Sequence, residues 1–263
     1  MTVSHPFKEI EVKIAGARIR YQTAGEGSPL LWLHGIWGES GWRAHLQALS
    51  ERFKVYRVDL PGYPGSQKPP WIRSVKELAF FMLDVLDALG LERTAVAGHC
   101  LGGWLGAELA LLRLQRITRL ALVSPLGLLR DWTTSPNLFY SDPTELPSYF
   151  FNDYEKCYGE ARHFVLKDLG GWSEDFLISR QGSAYYAFDP YLHDPMLIHR
   201  LHHLEMPVLA VWGSEDKIVG PQHGEDWVGR IGASKSVIIQ GAGQVPFVEE
   251  PAQFQKVMMD FLS

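Results

Sequence analysis

Gly98-His99-Cys100-Leu101-Gly102-Gly103 stands between a short apolar run, Thr94-Ala95-Val96-Ala97, and a stretch from Trp104 to Leu114 with helical spacing. A strand that turns into a helix through Gly-x-nucleophile-x-Gly is a nucleophile elbow, and the turn is too tight for side chains at the glycine positions. It holds the central side chain at the start of a helix, where free backbone N–H groups and the helix dipole favour negative charge. That position is usually serine; here it is Cys100. A helix N-terminus is expected to lower the thiol pKa from ~8.5 and leave an appreciable thiolate fraction without any base.

Outward from the elbow the chain alternates. Ile10 to Ile14 and Ile19 to Thr23 read as two strands turned at Ala15-Gly16. Leu30 to Leu33 reads as a buried strand, Ser40 to Leu49 as a helix, Val55 to Val58 as a strand, and Val75 to Leu89 as an amphipathic helix stopped by Gly90. After the elbow come a strand at Leu120 to Val123, another at Val208 to Trp212, and a helix from Gln222 to Gly229. A strand at Ser236 to Ile239 and a closing helix from Pro251 to Phe261 complete the chain. Such alternation predicts an α/β fold, a mostly parallel sheet with helices on both faces and ligands at the carboxyl ends of the strands.

The stretch between Leu126 and Glu205 breaks the alternation. It carries Trp132, Phe139, Tyr140, Tyr149, Phe150, Phe151, Tyr154, Tyr158, Phe164, Trp172, Phe176, Tyr185, Tyr186, Phe188 and Tyr191. A segment this long is read as a helical cap over the sheet edge, 126–205, inserted into a core made of 1–125 and 206–263. Most of its aromatics are expected to pack the cap on the core, and a minority to line an apolar ligand pocket.

Composition narrows the function. The 263 residues are 46% hydrophobic and 21% charged, as in an ordinary globular protein. A net charge of −5 argues against a nucleic-acid or anionic-membrane surface. No apolar run approaches the ~20 residues of a membrane span, and Met1 to Gly16 lacks a signal-peptide pattern. The two cysteines, Cys100 and Cys157, are read as reduced thiols, which fits a cytoplasmic protein. No metal-ligand spacing and no phosphate loop is present, so no metal and no cofactor is expected. The partner expected is a small-molecule substrate; oligomeric state is not encoded legibly.

With elbow, alternation and insertion in place, nearly the whole chain resembles the α/β-hydrolase superfamily. Leu31-Trp32-Leu33-His34-Gly35 is similar to the family's strand ending in His-Gly. The resemblance implies that the backbone N–H groups of Ile36 and Leu101 form an oxyanion hole. Asp59-Leu60-Pro61-Gly62-Tyr63-Pro64-Gly65-Ser66 resembles the family's D-x-P-G-x-G-x-S turn. Val211 to Asp216 matches the strand whose final aspartate is the triad acid, and Gly241-Ala242-Gly243-Gln244 through Glu249-Glu250-Pro251 matches the segment carrying the catalytic histidine. Asp194-Pro195 to Arg200-Leu201 and Met206-Pro207 are similar to capped members acting on small esters, lactones or carbon–carbon bonds. His34, Trp37, His99 and Val245 flank the implied site as candidate substrate contacts, with structural roles the alternative for His34 and His99.

Two positions depart from that pattern: the nucleophile is Cys100 and the histidine position holds Gln244, while Asp216 keeps the acid. Ser124-Pro125, at the end of the strand before the insertion, offers no other carboxylate. Glutamine forms hydrogen bonds but carries no proton at neutral pH. Losing the base from a serine triad costs on the order of a million-fold, and a thiol tolerates that loss better. Deacylation by water still needs a base. His193, His199, His202 and His203 lie in the insertion, and His223 is expected at the surface. Four readings stay open: acyl transfer or another non-hydrolytic reaction through Cys100, a weak residual hydrolase, a small-molecule-binding protein, and an engineered inactive variant of an ordinary Ser-His-Asp hydrolase. The aromatic insertion and Trp37 point to a mainly apolar ester, thioester or lactone-like ligand.

Overall fold

The strand β1 (Lys8–Ile14) and its partner β2 (Ala17–Ala24) form a hairpin. Its two-residue loop, Ala15-Gly16, takes positive φ at both positions, as a tight hairpin turn requires. This is a computed structural model, and it describes residues 7–128, 135–162 and 173–263. The expected aromatics Trp132, Phe164 and Trp172 lie outside the described residues.

From β3 (Ser28–Leu33) the chain reaches α1 (Ala44–Ser50), β4 (Phe53–Val58), α2 (Val75–Ala88) and β5 (Thr94–His99). It continues through α3 (Leu101–Leu112) and β6 (Ile117–Val123). Between β6 and β7 the described residues form α4 (Leu146–Phe150), α5 (Tyr158–Ala161), α6 (Glu174–Ala187) and two short 3₁₀ turns. The last part is β7 (Val208–Gly213), α7 (Gly224–Val228), β8 (Ser234–Ile239), α8 (Pro246–Glu249) and α9 (Pro251–Leu262).

The sheet has eight strands in the order β1-β2-β4-β3-β5-β6-β7-β8, antiparallel at β1-β2-β4 and parallel from there on. Its central strands β3, β5 and β7 read as continuous apolar runs because helices cover both faces. Trp32 and Trp212 are fully buried there. The α2 start is set by Ser74, whose hydroxyl accepts from the Glu77 N–H, while Glu77 accepts from the Arg73 N–H at 2.7 Å. No helix among the described residues is long and apolar enough to cross a membrane.

Two expected helices differ in extent. The helix expected from Ser40 begins at Ala44, because Gly41 adopts φ +72° and helical backbone cannot run through it. The helix expected over Gln222 to Gly229 is a 3₁₀ turn, Pro221–His223, followed by the five-residue α7.

Candidate active site

Cys100 sits between β5 and α3 with φ 55° and ψ −115°, a strained conformation for a residue with a side chain. The surroundings fix it. Its N–H donates to the Val123 carbonyl at 2.9 Å, and its own carbonyl accepts from Gly103 at 3.1 Å and Leu126 at 3.0 Å. A Cβ on Gly98 would strike the Gly102 carbonyl, and one on Gly102 would strike that of Leu33. These clashes are why the strand can enter the helix here only through glycine.

The N–H groups of Ile36 and Leu101 both bear on the Cys100 sulfur, as the resemblance implies. Gly35 lets the loop after β3 come this close: a Cβ there would lie 3.1 Å from Cys100 Cβ and 2.8 Å from His99 Nδ1. On the far side of Ile36, its carbonyl accepts from the Ser183 hydroxyl of α6. Tyr63 shares that hydroxyl at 3.0 Å. His34 accepts from the Leu60 N–H at Nε2 (3.0 Å), and its Nδ1 faces the Gly35 carbonyl at 2.9 Å. Burial, helped by the Arg57 charge, lowers the His34 pKa to about 4, so the ring is neutral and ties the turn beginning at Asp59 to the end of β3. Beneath that turn Arg57 pairs with Asp59 at 2.5 Å, both fully withdrawn from solvent, and Arg20 pairs with Asp59 as well.

Asp216 follows β7, and its Oδ1 accepts from Ile218 (2.9 Å) and Val219 (3.1 Å). Gln244 precedes α8. Its backbone N–H donates to the Phe150 carbonyl at 2.9 Å, and its side-chain Nε2 donates to the Ser124 carbonyl at 3.2 Å. The Gln244 amide also reaches Cys100, whose thiol feels the Asp216 charge. The structure therefore brings Cys100, Gln244 and Asp216 to one place, at the carboxyl ends of β5, β6 and β7.

The thiol, however, moves opposite to expectation. Burial pushes Cys100 up to about 11, and Asp216 adds to the rise. The Ile36 N–H, the Gln244 amide and the Leu101 N–H pull it down without overcoming burial. The helix N-terminus that was to supply a thiolate is outweighed because Cys100 has no solvent contact at all. Burial likewise raises Asp216 to about 7. Cys100 is thus a protonated thiol at neutral pH.

The flanking candidates divide. Trp37 stacks on Phe176 of α6 at 5.1 Å and meets Phe150 edge-on. Trp37, His34 and Tyr63 border a cavity of about 530 Å³ that runs out between β2 and the start of α6. Charged Glu9, Arg20, Glu39, Asp59, Arg162, Glu174 and Asp175 contribute to its walls, of the insertion's described aromatics only Phe176 does, and Cys100, Gln244 and Asp216 do not line it. His99 and Val245 are not in that wall. His99 donates from Nε2 to the Gln244 carbonyl at 3.0 Å, and burial lowers its pKa to about 4, so it braces the Gln244 loop. Val245 is fully buried at the start of α8.

Other side chains fall where the pattern could not place them. His223, expected at the surface, is buried with Nδ1 facing the Gly220 carbonyl at 3.0 Å; it ends the Pro221–His223 turn and precedes Gly224, which faces the Trp212 ring. His193 turns its Nδ1 to the Tyr191 carbonyl at 2.9 Å. Sequence reasoning missed Ser124, a fully buried residue at φ 42° whose carbonyl holds Gln244 and whose hydroxyl stands beside Asp216. It also missed Glu249, which accepts from the N–H groups of Gly243 (2.6 Å), Asn152 (2.7 Å) and Asp153 (3.0 Å). The serine was legible only as a strand end without a carboxylate, and the glutamate only as part of a matched segment.

An eight-stranded, mostly parallel sheet carrying an elbow, paired N–H groups and an acid at its strand ends defines the hydrolase class of α/β proteins. Residues 30–256 match the alpha/beta hydrolase family, and the chain belongs to it. Among its relatives is the pimeloyl-[acyl-carrier protein] methyl ester esterase of Aeromonas hydrophila, 28% identical across 90% of this chain and 96% of that protein. Another is the 2-hydroxy-6-oxo-6-phenylhexa-2,4-dienoate hydrolase of Comamonas testosteroni, 26% identical across 93% and 91%. In three dimensions the chain superposes on the meta-cleavage product hydrolase CumD of Pseudomonas fluorescens with a TM-score of 0.81, at 20% identity over 96% of this chain and 97% of that one. That likeness concerns the fold.

Proposed function

We propose that this chain is an acyl-handling enzyme that uses Cys100 on a small ester, thioester or lactone and passes the acyl group to an acceptor other than water. The observation that carries this reading is the convergence of the Ile36 and Leu101 N–H groups and the Gln244 amide on one sulfur, with a glutamine where a histidine base would stand. As Sγ attacks, a bond forms from sulfur to the acyl carbon, and the carbonyl oxygen gains charge that the two N–H groups stabilise. The bond to the leaving alcohol or thiol then breaks, and the thiol proton departs with it. Gln244 cannot activate water, so the thioester outlasts hydrolysis and is released by a nucleophile that brings its own lone pair, an amine or a thiolate. In this reading residues 126–205 are the cap that closes over the site, and Trp37 and His34 meet the substrate.

A second reading, a small-molecule-binding protein that keeps the pocket without the chemistry, is favoured by the protonated thiol. One experiment separates the two. Incubation with an activated aryl ester, followed by intact mass, should give a single acyl increment that is absent from Cys100→Ala and persists until an amine or thiol is added. If no increment forms on the wild-type chain, the acyl-handling reading is wrong and the binding reading takes its place.

A further inference from the structure

Three side-chain atoms gathered beside Cys100 are buried and make no hydrogen bond: Asp216 Oδ2, Ser124 Oγ and Gln244 Oε1. Their neighbours tie them to one spot. Gln244 Nε2 donates to the Ser124 carbonyl at 3.2 Å, the Ser124 hydroxyl stands beside Asp216, and Gln244 and Asp216 both act on the Cys100 sulfur. Turning the amide over is no remedy, because Oε1 would then face the Ser124 carbonyl, acceptor against acceptor. With Nε2 held on the Ser124 carbonyl, Oε1 is left buried and without a donor.

The set then holds too few protons if Asp216 is an anion. Oδ2 and Oε1 only accept, and the Ser124 hydroxyl can give its single hydrogen to one of them, leaving the other to the weak S–H donor of Cys100 at best. One added proton closes the chain: Ser124 Oγ–H donates to Oδ2, and Oδ2–H donates to Oε1. Of the groups facing Asp216, the Ile218 and Val219 N–H groups and the Ser124 hydroxyl favour the anion, and burial together with the Glu249 charge opposes it and outweighs them. The Ile218 and Val219 N–H groups bond Oδ1, and the Cys100 thiol also faces the carboxyl.

We propose that Asp216 is held as a neutral carboxylic acid that donates Oδ2–H to Gln244 Oε1, so that the acid of this site stores a proton instead of orienting a base. This deepens the acyl-handling reading and rests on it only for the catalytic consequence: the stored proton fixes the Gln244 amide with its N–H end toward Cys100. The direction of the Asp216 shift, upward through burial to about 7, agrees with the hydrogen-bond count. Asp216 is a positioning residue in this scheme.

The test compares thermal midpoints of the wild type and Asp216→Asn at pH 4 and pH 8. Asparagine supplies the same donor and acceptor but cannot ionise. Because Asp216 ionises at about 7 when folded and at 3.8 ordinarily, the wild type loses stability as the pH rises through that window and the variant does not. The two midpoints should therefore lie closest at pH 4, and the variant should be higher by several degrees at pH 8. A variant that is less stable at both values overturns the proposal, since it would mean that the anion is needed. Should Asp216→Asn fail to fold, carbon-13 NMR of the wild type labelled at its aspartate carboxyls decides instead. One aspartate titrating near neutrality supports the proposal, and the absence of any such resonance overturns it. Both readouts are independent of acylation, so a failed ester experiment and a failed proton store are told apart.

Discussion

At the scale of single residues, the contest at Cys100 is between burial and hydrogen bonding, and burial wins. Three donors converge on the sulfur, yet the thiol stands at about 11 because the thiolate would have no water around it. The consequence is measurable. Alkylation of Cys100 by a small neutral reagent, in a Cys157→Ser background, should rise about tenfold for each pH unit from 7 to 10 without a plateau, since the reactive thiolate grows tenfold per unit below the pKa. A plateau near pH 8 would return the site to the low-pKa thiol expected from the helix position alone. The identities of Cys100, Gln244 and Asp216 were legible in the sequence because a matched motif marks each one. The sign of the thiol shift was not, because it depends on what covers the elbow. Ser124 was hidden for a different reason: its contribution comes from a left-handed backbone and a carbonyl, which no side-chain pattern records.

At the scale of elements, the strand–turn–helix around Cys100 is the most tightly constrained part of the fold. Gly98→Ala should destabilise the protein by roughly 1–3 kcal/mol, since the added methyl meets backbone atoms of Gly102 and Gly103 that cannot swing aside. Urea denaturation reads the loss, and an unchanged midpoint would mean that α3 is free to shift on β5. All eight strands follow from apolar runs and turn residues; the inner ones are buried on both faces and leave a continuous signature, while β1 and β8 at the sheet edges are largely exposed. Helix ends were less legible. The start of α1 depends on the left-handed turn at Gly41, and the short α7 on a preceding 3₁₀ turn.

At the scale of the whole molecule, the segment between β6 and β7 is tied to the sheet's strand ends by polar contacts that composition could not reveal. Glu249 is the anchor, joining Asn152 and Asp153 to Gly243 through one carboxylate. Arg200 adds a second tie by bonding both Glu108 oxygens, at 2.6 and 2.7 Å, and Asp194 at 2.7 Å. Glu249→Ala leaves three N–H groups without their acceptor and should cost roughly 2–3 kcal/mol. Limited proteolysis should then cut near residues 150–160 before the sheet unfolds. If cleavage and global unfolding stay coincident, the anchor is not what seats that segment. Of the segment's aromatics, Phe176 packs on Trp37 and Phe139 on Tyr191 within the segment, while Tyr140, Tyr185 and Phe188 are exposed. The polarity of the adjoining cavity came instead from β1, β2 and the first turn of α6.

The hydrogen bond from the Gln244 backbone N–H to the Phe150 carbonyl has a consequence of its own. It makes one amide hydrogen the link between the segment over the site and the residue that touches the sulfur. While α4 is seated that hydrogen is shielded, and when α4 lifts it meets water in the same event that frees the Gln244 loop. Deuterium uptake at Gln244 is therefore a clock for opening, kept by the molecule at the place where opening matters.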